Sequence, residues 1–93
     1  MPHPTLTYVL NTNGQTTGMI DVDYTETAIS LNITATITVT LQRSLDGGVT
    51  WVNGTAYTAS TVFNVKGPGE YRLIASGVTG GSCTVQFLRG AQR

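Results

Sequence analysis

The sequence predicts an all-β fold, a small antiparallel β-sandwich of jelly-roll type with about seven or eight strands. Three observations carry this. One segment alternates apolar and polar residues over ten positions, turn-forming residues punctuate the chain every ~8–12 residues, and no stretch of useful length shows a helical period.

The alternating segment runs from Ile33 to Arg43. Ile33, Ala35, Ile37, Val39 and Leu41 interleave with Thr34, Thr36, Thr38, Thr40 and Gln42. A period of two sends successive side chains to opposite faces of a sheet, so the odd-numbered set is expected in the core and the threonines on the other face. Leu6, Tyr8 and Leu10 form an earlier strand, and Ile20, Val22 and Tyr24 a second. Ala28 to Leu31 either leads into the long strand or stands alone. Tyr57 to Val65, Tyr71 to Ala75 and Cys83 to Leu88 complete the set, rich in β-branched and aromatic residues.

Between these runs lie Asn13-Gly14, Asp46-Gly47-Gly48, Asn53-Gly54, Gly67-Pro68-Gly69 and Gly77 to Gly81. Each allows a positive φ or fixes one through proline, as a reversing chain needs. Pro2 and Pro4 exclude the first residues from a sheet interior. Residues 1–5, including His3 and Thr5, are therefore expected to form an extended arm, and residues 6–93 a single β-sandwich domain.

The chain of 93 residues holds five basic and five acidic side chains, a formal net charge of zero, and charged residues make up only 11% of it. A surface of Thr, Ser, Asn, Gln and Gly has weak long-range fields, so nucleic acid and membrane are not expected partners. One cysteine, Cys83, and one histidine, His3, supply neither a disulfide framework nor a zinc site. No secretory leader is read at the start, and synthesis in the cytoplasm is expected.

Catalytic chemistry finds little support. The one histidine stands between prolines, away from any serine nucleophile, and the carboxylates fall on strands and turns. Asp21 and Asp23 share a strand face with Glu26 nearby, a spacing that suits calcium, but edge charges that discourage strand pairing have the same pattern. No enzyme activity, cofactor or metal is expected. Arg43, Arg72, Arg89 and Arg93 read as salt-bridge or inter-subunit hydrogen-bond partners, and Cys83 as a small buried apolar residue.

The one motif is Ser44-Leu45-Asp46-Gly47-Gly48-Val49-Thr50-Trp51. It is similar to the Asp-box turn of sialidase propellers and other β folds. Ser44 and Asp46 can accept hydrogen bonds from turn amides, Gly47 and Gly48 tolerate positive φ, Thr50 follows, and Trp51 is expected to pack back over the loop. In those families the motif is a fold element remote from chemistry, which implies a structural turn here.

A longer pattern contains it. Val39 to Trp51, followed by Gly69-Glu70-Tyr71-Arg72-Leu73, a Gly/Ser-rich turn at Gly77 to Ser82 and an apolar strand at Val85 to Leu88, resembles small β-sandwich virion proteins of tailed bacteriophages. The resemblance covers roughly the C-terminal half. It implies a capsid decoration or cement protein that binds the major capsid protein and copies of itself, often as a trimer, and resides in the virion. The alternative from a different class is a carbohydrate- or receptor-binding module of a phage tail or fibre, with Trp51, Tyr57, Tyr71 or Tyr8 as a stacking platform. Most of the aromatic residues fall on alternating apolar positions that the core needs, which favours the assembly reading.

Overall fold

A computed structural model describes residues 5–22 and 26–88 of the chain. The all-β, antiparallel expectation holds. Among these residues β1 is Thr5–Leu10, β2 Ile20–Val22, β3 Glu26–Ser44, β4 Val52–Tyr57, β5 Thr61–Lys66 and β6 Gly69–Leu88. The seven or eight strands of a jelly-roll sandwich become six, hydrogen-bonded as one sheet. Thr5, assigned by the sequence to the arm, opens β1 and pairs with Leu88. Met1, Pro2, His3 and Pro4 lie outside the described residues, as do Asp23, Tyr24 and the segment 89–93.

The strand count falls because two expected turns and junctions are not reversals. Gly77 to Gly81 lies within β6, and Ala28 to Leu31 is continuous with the alternating segment in β3. These strands are 19 and 20 residues long and pair antiparallel from Ala28↔Leu88 to Ser44↔Glu70. Twenty extended residues would span about 66 Å at ~3.3 Å each. The longest dimension of the molecule is 39 Å, so the ladder must fold.

It folds where the register slips. Thr36 faces both Gly80 and Thr79, and Thr38 faces Ser76; from Thr34↔Ser82 to Val39↔Ala75, β3 advances five residues and β6 seven, leaving two extra residues on β6. Gly77 and Gly80 take φ of 58° and 72°, and on β3 Ala35 takes a φ of 57°, a left-handed conformation uncommon outside glycine. Gly81 is obligatory for another reason. A Cβ there would collide with the backbone carbonyl of Thr36. The glycines thus supply a bulged corner, not a hairpin.

Side chains satisfy the backbone groups that the corner frees. Asn13 Oδ1 accepts from the Val78 N–H at 2.9 Å, and Ser60 Oγ accepts from the Ile33 N–H at 2.8 Å. The flanking strands turn the corner as separate pieces. β1 pairs with the Cys83–Leu88 part of β6 and β2 with the Gly69–Tyr71 part, while Thr16 bridges Ile74 between them. On the other side β5 pairs with Glu26–Leu31 and β4 with Val39–Arg43.

The two halves of the folded sheet enclose one core. Leu10, Ile29, Leu31, Val85 and Phe87 from one half join Ile20, Val22, Ile37, Val39, Leu73 and Ala75 from the other in a single buried cluster. The expected odd-numbered burial on β3 holds at Ile37 and Val39. Ile33 and Leu41 are only half-buried, and Ala35 is exposed at the corner, where it takes its positive φ. Gln42 and Ser44, on the opposite face, are buried by the turn beyond them.

Two substitutions test this corner and core. Ile37→Asp places an unpaired charge where the side chain is 2% exposed and should abolish cooperative folding by circular dichroism. Ala35→Gly should leave stability unchanged or raise it by up to about 1 kcal/mol, since the left-handed penalty disappears. An ordinary strand alanine would instead lose about 0.5–1 kcal/mol on the same change. Urea unfolding midpoints decide the sign.

Candidate functional site

The eight-residue motif forms the turn from β3 to β4 at one end of the folded sheet. Ser44 is the last residue of β3 and is 1% exposed, so its hydroxyl must find partners within the protein. It donates to Asp46 Oδ1 at 2.7 Å and accepts from the Gly48 N–H at 2.9 Å and the Asp46 N–H at 3.3 Å. Asp46 Oδ1 in turn accepts from the Thr50 N–H at 2.9 Å. Gly47 and Gly48 take φ of 76° and 93°. The turn is thus tied by side-chain oxygens to its own amides, the arrangement expected from the motif.

Electrostatics follow from those bonds. The Thr50 N–H, then the Ser44 and Thr50 hydroxyls, hold the Asp46 carboxyl down to about 2 although it is fully solvent-exposed. It therefore stays ionised at any ordinary pH. The carboxylate is used by the fold at Oδ1.

Trp51 does not pack into the core. It is half-buried, and the Arg72 guanidinium lies over its ring at 4.3 Å from the centroid. Met19 and the Trp51 ring both come up against Gly48, where a Cβ would stand 2.9 Å from the Met19 sulfur and 3.5 Å from the ring. Arg72 Nε donates to Gln42 Oε1 at 2.7 Å, and Gln42 Nε2 donates to Asn53 Oδ1 at 2.8 Å. Three strands are therefore cross-tied on one face: Arg72 from β6, Gln42 from β3 and Asn53 from β4.

This chain of Arg72, Gln42 and Asn53 was not singled out by motif. The signal was present in part, because strand alternation places Gln42 on the threonine face. The pairing Gln42↔Arg72 spans the whole of the turn, β4 and β5, and only the β3–β6 register reveals it.

The turn also borders a groove of about 580 Å³. Leu41, Leu45, Val52 and Tyr71 line it, with Arg43 and Asp46 among its walls. Arg43 Nη2 donates to the Pro68 carbonyl at 2.8 Å, and its guanidinium lies 5.6 Å from the Tyr71 ring centroid. The salt-bridge role expected for the arginines is not what Arg43 and Arg72 perform among the described residues. The ion pair observed there joins Lys66 to Glu26 at 3.9 Å, on the exposed surface.

Cys83 is fully buried and burial pushes its thiol up, away from reactivity. Asp21 is exposed on β2, and among the described residues no three His, Cys, Asp or Glu side chains gather as a metal site would require. The sequence-proposed stacking platform is dispersed. Tyr71 is buried, Tyr8 meets Phe87 edge-on, and Tyr57 stacks on Phe63 at 4.6 Å.

Two measurements test the turn. Ser44→Ala removes the bond to the Gly48 amide and both bonds to Asp46, at a part-buried position, and should cost about 1–3 kcal/mol in urea unfolding. Asp46 makes a pH-dependent contribution with a definite sign. Its folded pKa lies near 2 against 3.8 ordinarily, so the unfolded chain takes up the proton first as the pH falls. Its contribution is complete above about pH 4 and lost as the pH drops toward 2. The stability gap between the wild type and Asp46→Asn should accordingly be widest above that window and shrink within it.

Comparison of the chain with family models, with curated proteins and with solved structures finds no match.

Proposed function

We propose that this chain is a structural virion protein of a tailed bacteriophage, a capsid decoration or cement protein that binds the head lattice and copies of itself. The observation that carries the reading is an uncovered, uncharged strand. β4 is exposed along Val52 to Ala56, carries no charged residue, and has a hydrogen-bonded neighbour on one side only among the described residues. Isolated proteins usually blunt such an edge with lysine, proline or a covering element. A bulge between its pairs with Thr40 and Gln42 twists it, yet Val52 remains 66% exposed.

The surface as a whole agrees. Leu45, Val49, Met19 and Val62 are also exposed large apolar residues. With no net charge to keep copies apart, such a molecule suits a lattice on which partners cover its surface. The glycan-binding alternative is less favoured, since the rings it would use are engaged with Phe87, Phe63 and Arg72 or buried. Among them Trp51 retains some exposure, on a ring that carries Arg72.

The test uses particles purified with and without the protein. Added protein should decorate depleted heads in negative-stain images and raise the temperature at which they release their contents. Failure to bind heads under any salt condition would remove the reading. Deleting residues 1–4, which precede β1, should leave thermal unfolding unchanged and weaken attachment; equal attachment would exclude the arm as a contact.

A further inference from the structure

The turn end of the sheet carries a projection and a recess side by side. Val49, 82% exposed, and Leu45, 74% exposed, stand out from the turn, and the apolar groove under Leu41, Leu45, Val52 and Tyr71 opens next to them. The same patch holds one cation, Arg43, and one anion, Asp46. Neither Arg43 nor Asp46 has an ion-pair partner among the described residues. The Ser44 hydroxyl and the Thr50 N–H both bond Oδ1 of Asp46, and the carboxylate stands on the exposed surface, within reach of an outside donor. Arg43 spends Nη2 on the Pro68 carbonyl and keeps its other guanidinium N–H groups.

We propose that this end of the sheet is an interface between copies of the chain, in which the Val49 tip of one copy enters the groove of another and Asp46 of one pairs with Arg43 of the other. A second copy is favoured by the patch itself. Projection and recess, cation and anion, are all present on one surface, so the patch is complementary to itself, the requirement for contact between identical subunits. A single arginine gives no footprint for nucleic acid. The zero net charge imposes no long-range repulsion between copies. The inference deepens the assembly reading and rests on it only in expecting copies to meet.

The experiment is sedimentation velocity on the full chain over a range of concentrations. The wild type should sediment above monomer mass, and added salt should weaken the association by screening the Arg43–Asp46 pair. Val49→Asp and Leu45→Asp alter exposed side chains and should keep the wild-type circular dichroism and melting curve. Each should raise the dissociation constant by about tenfold or more. Val62→Asp, on β5 and 68% exposed, is the control and should associate as the wild type does. A monomeric wild type overturns the inference, as does association that survives both turn variants or is lost equally in Val62→Asp. Head binding is measured separately. Association that persists in a protein unable to bind heads supports this interface and counts only against the virion reading.

Discussion

The approach of two backbones at Gly81 and Thr36 is the constraint on which the rest of the molecule depends. With no side chain at Gly81, β6 can press against the Thr36 carbonyl and both long strands bend together. Without the bend, Leu31 and Val85 would lie on the same flat face as Val39 and Leu73 with nothing above them, and no core would close. Local strain at Ala35 and the two extra residues on β6 are thus offset by the burial of two sheet halves against each other, at ~1.5–3 kcal/mol for each large side chain.

A second consequence of the bend is that the flanking strands must break. A single flanking strand would need its own bulge at the corner. The chain instead uses two short strands on each side and spans the gap with loops that keep hydrogen bonding to the bend. Gly14 N–H donates to the Ala75 carbonyl, and Ala75 N–H donates back to the Gln15 carbonyl. Thr17 is buried, and its hydroxyl accepts from the Leu73 N–H. The polar stretch between β1 and β2 is therefore part of the sheet's wiring.

The sequence made the class of the fold legible, along with the alternating centre of β3 and the whole of the Ser44–Trp51 turn, because each is encoded by residues close together in the chain. It misled where one residue type serves two geometries. Glycine with positive φ suits a reversal and a bulge equally, so Gly77 to Gly81 reads as a turn when it is a corner. Trp51 does lie against Gly48 of its own loop as expected, but the Arg72 that covers its ring arrives from a strand distant in sequence, which no local pattern announces. The groove depends on the same long-range register, since Tyr71 meets Arg43 only when β6 pairs with β3.

That pairing also orders the acquisition of structure. Ser44 and Glu70 are the nearest residues in sequence along the β3–β6 ladder, and Ala28 and Leu88 the farthest. Loop closure grows more costly with separation, so the ladder favours zipping from the turn end toward the termini. On this view substitutions at Gln42 or Asn53 slow refolding, while those at Phe87 mainly hasten unfolding, and stopped-flow rates distinguish the two. The end of the molecule that presents the groove would then be the first to take shape, with an edge exposed before the core beneath it has closed.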